Sequence, residues 1–352
     1  MALVLSVAAW ASQPMPTTLT RPHDAQSLLT SSFVGPLYQA NLVLNGGGTL
    51  DDSDDTKKVQ AMFFYRRSLE LEPANVVALY NLGVLSADLA ERSPSITQQA
   101  IFIKQAETLL WRLQVTHPDL PGVYFQLGRL MLIKNDLEAA ADAYELGFDY
   151  LPENGYLAFN LATVLDHQGK SQRALKYYQD AVVLLPKFAA GHNNMGLLLE
   201  KMHQTQAAEK AYRAAIAADA DYTFARLNLG NLYQQHDDLS KALRTFSEAV
   251  EHDPASYWAQ LYLGNVAFQS SDYSRAAKAY AMATKLNPQD ASAYYLLAVT
   301  LHRVNKLNEA QSACLNYISR APQGTYRTEV IRLLEVIEYQ RQLGPVGLLP
   351  QD

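Results

Sequence analysis

Residues 224–233 read Phe-Ala-Arg-Leu-Asn-Leu-Gly-Asn-Leu-Tyr. Apolar side chains recur there at three-to-four spacing, which predicts a helix with one buried face. The glycine inside it, Gly230, costs about 1 kcal/mol relative to alanine. Its presence predicts a second helix lying too close for a side chain. The polar run Gln-His-Asp-Asp-Leu-Ser at 235–240 suits a short helix–helix connection. Pro254 ends the helix that follows, because the residue before a proline is pushed out of helical geometry. Outward from this unit the same register recurs every 34 residues: Gly128, Ala162, Gly196, Gly230, Gly264 and Ala298. Twelve positions after each stands an alanine (Ala140, Ala174, Ala208, Ala242, Ala276, Ala310). Four further on comes a bulky residue: Tyr144, Tyr178, Tyr212, Phe246, Tyr280 and Cys314. The units close on Pro152, Pro186, Ala220, Pro254, Pro288 and Pro322. A fixed period of this length predicts a solenoid.

The chemistry of each position suggests its role. Alanines at the Ala242 register suit the place facing the glycine, and the Tyr and Phe residues suit a wider gap between neighbouring repeats. Each hairpin then has two apolar faces and needs neighbours to cover them. These residues resemble the tetratricopeptide repeat, a helix, a tight turn and a second helix. The resemblance implies an all-α, right-handed superhelical solenoid of about eight repeats.

Upstream the register is less regular. Leu79, Leu82 and Gly83 open a first helix, and Ala106, Leu110, Leu113 and Pro118 fit its second, with about eleven surplus residues between them around Glu91–Gln99. Phe64, Ser68 and Pro73 match the end of one more unit, with 59–72 as its second helix and 31–44 as the first. The Gly/Asp-rich run at 45–55 is then an overlong turn. The expected organisation is a signal-like stretch and linker at 1–30, an atypical repeat at 31–75, a repeat with an inserted turn at 76–120, and six regular repeats at 121–324. A capping helix at 325–343, apolar on one side and charged on the other, and a tail at 344–352 complete it.

A net charge of −6 argues against a nucleic-acid groove, which needs clustered Lys and Arg. No apolar run of transmembrane length occurs. The single cysteine, Cys314, excludes an internal disulfide framework and sits at a core position of the register. At the N-terminus, Leu3–Trp10 is apolar and Ala9-Trp10-Ala11 has a small-x-small form. It lacks a preceding Lys or Arg. An exported protein, the stub of a membrane anchor and a cytoplasmic tail are the three readings of this segment, with export or a periplasmic setting favoured and membrane association confined to the N-terminus.

No catalytic constellation emerges, so no enzyme activity, metal or cofactor is expected. The eight His residues scatter without metal-ligand pairing. Gly46-Gly-Gly lacks the Lys-Ser or Lys-Thr of a phosphate loop. The run Asp51-Asp-Ser-Asp-Asp lacks the ligand spacing of a calcium loop.

In the family the first helices line a concave groove, and this register places Asn81, Gln126, Asn160, Asn194 and Asn228 at the sixth position. Superhelical members use such an amide ladder to hold an extended peptide backbone, since an amide both donates and accepts. Asn231 and Asn265 occupy ninth positions. Candidate anchors in the groove are Tyr156, Phe159, Phe224, Trp258 and Tyr262, with Tyr80, Phe125 and Tyr295 beside them. Chaperone-binding members grip a carboxylate with a fifth-position Lys. Tyr80, Phe125, Phe159, Asn193, Leu227, Leu261 and Tyr295 stand there, which argues against that reading. The expected function is a non-enzymatic scaffold that binds a protein or peptide in the groove and helps assemble a larger complex, in the manner of envelope, pilus or secretion factors. The alternative is a regulatory or targeting subunit of a cytoplasmic enzyme complex.

Overall fold

The computed structural model describes residues 55–343. Among these, sixteen helices and no strand are present. The chain divides between Pro186 and Lys187 into two compact units. In the first, α1 (Asp55–Leu71), α2 (Val76–Arg92), α3 (Ile96–Thr116), α4 (Pro121–Ile133), α5 (Leu137–Tyr150), α6 (Gly155–His167) and α7 (Ser171–Leu184) follow one another. The second holds α8 (Ala189–Lys201), α9 (Thr205–Ala218), α10 (Thr223–Gln235), α11 (Leu239–His252), α12 (Tyr257–Gln269), α13 (Tyr273–Leu286), α14 (Ala291–Arg303), α15 (Leu307–Arg320) and α16 (Arg327–Leu343). From α2 onward the even-numbered helices up to α14 are first helices, and each packs against the odd-numbered helix that follows it.

The turn inside the regular hairpins is one device repeated. Residues Asn135, Gly169, His203, Asp237, Ser271 and Asn305 all have φ between 59° and 75°, the left-handed region that ends a helix. Each lets the next N–H reach back to a carbonyl of the preceding helix, as in Asp136 to Met131 at 2.9 Å and Asp272 to Ala267 at 2.8 Å. Asp136, Asp238 and Asp272 then cap the second helix, each accepting from the backbone N–H three residues on. Only Gly169 is free of a Cβ penalty at this position. Ser271→Gly is therefore expected to stabilise by about 0.5–1 kcal/mol. A urea midpoint that falls or stays put contradicts this.

The reverse turns between repeats carry a second device. A side chain at the fourth position of a first helix donates to the carbonyl six residues earlier: the Tyr124 hydroxyl to Pro118 at 3.0 Å, Gln260 to Pro254 at 3.3 Å, and Arg226 to Ala220. In the last repeat Arg320 from the second helix reaches Pro288, lying over the Tyr294 ring at that fourth position.

The glycine register has a different partner from the one expected. A Cβ added at Gly230 would lie 2.5 Å from the Phe246 ring, one at Gly196 2.6 Å from Tyr212, and one at Gly264 2.5 Å from Tyr280; Gly128 meets Tyr144 in the same way. The aromatic thus fills the space over its own repeat's glycine, rather than a gap between repeats. The alanines Ala140, Ala174, Ala208, Ala242, Ala276 and Ala310 are fully buried beside these rings.

Two upstream expectations are corrected. The buried register aromatic of the first unit is Tyr65, with Ala61, and not Phe64, which is only partly buried. The surplus at 91–99 is not a long turn. It lengthens both helices, α2 to 17 residues and α3 to 21, leaving a short connection through Ser93–Ser95. Ser95 caps α3. Segments 1–30, 31–44 and 344–352, and the Gly/Asp-rich run up to Asp54, lie outside the described residues.

Candidate functional site

In the first unit the candidate ladder is absorbed by the interior. Asn81 is 0% exposed and donates to the Tyr65 hydroxyl at 3.0 Å, so it is closed to a ligand. Gln126 is buried and accepts from Arg129 at 3.3 Å. Burial pushes both Tyr65 and Tyr80 up to about 12, opposed by their hydrogen bonds with Asn81 and Gln126 respectively. Asn160 is also buried, with Phe159 beside it packed 5.8 Å from the Tyr178 ring. Phe159 is thus a core residue and not an anchor, as are Tyr80 and Phe125. Tyr156 is half-buried. The same face carries a charged knot: Arg129 reaches Asp88 at 2.6 Å and Glu91 at 2.5 Å, and Lys58 lies 3.5 Å from Asp88. Burial opposes the Arg129 charge, but the two carboxylates outweigh it and raise the guanidinium above its ordinary value.

In the second unit the amides bond to one another instead, and Asn193 and Asn194 are buried there. Asn228, half-buried on α10, donates to Asn193 on α8 at 2.8 Å, and Asn193 donates to its neighbour Asn194 at 3.3 Å. This relay leaves an acceptor on half-buried Asn228, while Asn194 is as buried as Gln126 and Asn160. Asn193 is the member the sixth-position rule missed. It stands at the fifth position, where the other repeats carry aromatic or leucine side chains, and that difference was its only signal. One repeat on, Gln234 donates to Gln269 at 2.7 Å. Asn231 is half-buried. Asn265 accepts from the Tyr280 hydroxyl at 2.8 Å and keeps its own amide hydrogens.

Rings flank these amides. Phe224 is 41% exposed and meets Tyr222 edge-on. Trp258 and Tyr262, one helical turn apart on α12, stack with centroids 6.1 Å apart, and Tyr257 lies edge-on to Trp258 at 5.0 Å. The Tyr257 hydroxyl donates to Asp290, which fixes that end of the cluster. Tyr295 is committed elsewhere, stacked 4.2 Å from Tyr326 ahead of α16.

Among the described residues no group of three or more His, Cys, Asp or Glu is placed to hold a metal, and no helix is long and apolar enough to cross a membrane. Burial pushes the Cys314 thiol up to about 11. At pH 8 only about one thiol in a thousand is then thiolate. Cys314 is expected to resist alkylation in the folded chain and to react fully in denaturant. Prompt labelling of the native protein would contradict its core placement.

Matches to the tetratricopeptide repeat family cover residues 125–189, 193–257 and 227–283, and a further repeat match covers 264–305, together about half of the chain. No curated protein matches. Among solved structures the chain is similar to yeast Tom70, at 13% identity and a TM-score of 0.54, over 93% of this chain and 69% of that one. It is also similar to YrrB, described as a TPR protein with an unusual peptide-binding site, at 20% identity and 0.46 over 55% and 99% of the two chains. Pseudomonas aeruginosa pilF gives 19% identity and 0.48 over 63% and 97%. The likeness to Tom70 agrees with the helical hairpins on the fold, which is typically a non-catalytic interaction scaffold. The repeated turn, the glycine under its ring and the matched residues converge, and the chain belongs to the tetratricopeptide repeat family.

Proposed function

We propose that this chain is a protein-interaction scaffold that holds a partner polypeptide on the first-helix face of its second unit and so helps assemble a larger complex. The observation that carries this is the amide relay Asn228–Asn193–Asn194 on α8 and α10, with exposed Phe224 on α10 and the Trp258 ring cluster on α12. The acceptor left on Asn228 complements the N–H that a peptide unit offers. One hydrogen bond at about 0.5–1.5 kcal/mol gives register and not affinity, so the rings must supply the anchoring surface. Asn81, Gln126 and Phe159 have no part in this reading, because the interior has already used them.

A photo-crosslinking residue placed in vivo at Asn231 is expected to capture a discrete partner. The same residue at Arg244, on the exposed side of the second helix α11, is expected to capture none. Asn194→Ala with Asn228→Ala should weaken the captured complex about tenfold. Equal capture from both positions, or full retention by the folded double variant, would remove the first-helix face from consideration.

A further inference from the structure

Two successive first helices of the second unit, α10 and α12, are almost devoid of charge, whereas α8 carries Glu200 and Lys201 and α14 carries Arg303. Helices α10 and α12 carry a single charged side chain between them, Arg226. That guanidinium is buried and donates to the Ala220 carbonyl. The ions of these repeats stand on the second helices instead, for instance Lys241 and Glu248 on α11. The first unit differs, since its face holds Arg129 between two carboxylates.

We infer that this neutral face takes an uncharged, extended peptide segment, anchored by a prolyl or aromatic side chain against Trp258. The inference rests on the docking reading above and names the class of partner. A charged side chain brought against α10 and α12 loses water and finds no counter-charge on those helices, and the Asp290 carboxylate beside them already accepts from Tyr257. Amides have no such preference and satisfy backbone groups in both directions. Trp258, backed by Tyr262 that itself packs 5.6 Å from Phe246, offers the flat surface that aromatic-lined grooves use for prolyl segments, whose preformed conformation loses little entropy on binding. The Asn228 acceptor complements the backbone N–H of such a segment.

The test is selection of a random peptide library on the full-length protein, with the winning peptides titrated at low and high salt. The expected winners lack Lys, Arg, Asp and Glu at their contact positions and carry Pro or aromatic residues. Their affinity should change less than about twofold between about 0.05 and 0.5 M salt. It should fall about tenfold on Trp258→Ala and by a similar factor on Asn231→Asp, which plants an unpaired charge at an accessible site without removing a ring. Charged winners with steep salt dependence that still need Trp258 would overturn the neutral class and leave the docking face standing. Winners indifferent to Trp258→Ala and Asn231→Asp would overturn both. Failure to select any peptide, with or without Trp258-dependent capture of neutral glycans on an array, overturns the peptide assignment.

Discussion

Phe246→Ala is expected to destabilise the second unit by about 3–5 kcal/mol, and adding Gly230→Ala is expected to recover about 1 kcal/mol of that loss. Phe246 is fully buried, and its ring occupies the space where a Gly230 Cβ would sit, 2.5 Å away. Gly230→Ala by itself overpacks the hairpin, which costs about 1–3 kcal/mol and cancels the gain in helix propensity. With the ring gone the methyl group has room, so that gain is realised. The last repeat already combines a methyl-bearing residue with a smaller partner, Ala298 with Cys314, both fully buried. Urea unfolding of the two single variants and the double variant measures the coupling. Hydrogen exchange on α10 and α11 localises it, since a stack of hairpins unfolds in parts. Strictly additive losses would mean that the ring does not lie over the glycine.

The second large effect separates two tyrosines of identical register. Tyr212 is buried and donates to Glu200 at 2.8 Å, and burial with that carboxylate raises its pKa far above the ordinary value. Tyr212→Phe leaves the carboxylate without its donor and is expected to cost about 1.5–3 kcal/mol, as for hydrogen bonds to charged groups. The Tyr144 hydroxyl is equally buried but meets no hydrogen-bond partner, and Phe246 proves that a phenyl ring fits the register. Tyr144→Phe is therefore expected to be neutral or to stabilise by about 1 kcal/mol. Denaturant midpoints moving in the same direction for both would refute the assignment.

The fold was legible in the sequence because its determinants are local and repeat. A glycine, an alanine, a ring and a proline at fixed offsets specify a hairpin without reference to any distant residue. Even the misplaced ring was recoverable. From Tyr144 to Pro152 is eight positions, and eight before Pro73 stands Tyr65, not the adjacent Phe64. The surplus at 91–99 differs from a long turn because an insertion that preserves helical propensity prolongs helices as readily as it loops out, and only Ser93-Pro94-Ser95 marks the break, the proline ending α2 and Ser95 capping α3. The candidate site was half legible. Periodicity places Asn81 and Asn228 on one face alike, but it does not reveal that Tyr65 consumes the first amide while the second stays within reach of solvent. Competition by neighbouring side chains is a three-dimensional property, and it decided which ladder positions survive.

Where glycine and ring pair, at Gly128, Gly196, Gly230 and Gly264, the lock lies wholly inside one hairpin, at positions that the exposed edge of the first helix never uses. Holding the stack together and contacting a partner are therefore written in separate alphabets on the same helix. Phe224, Asn231 and Trp258 can be rewritten without retuning Gly230 and Phe246. Drift or design could exchange the specificity of one hairpin while its neighbours keep theirs, which makes recognition by this chain modular in inheritance as well as in form.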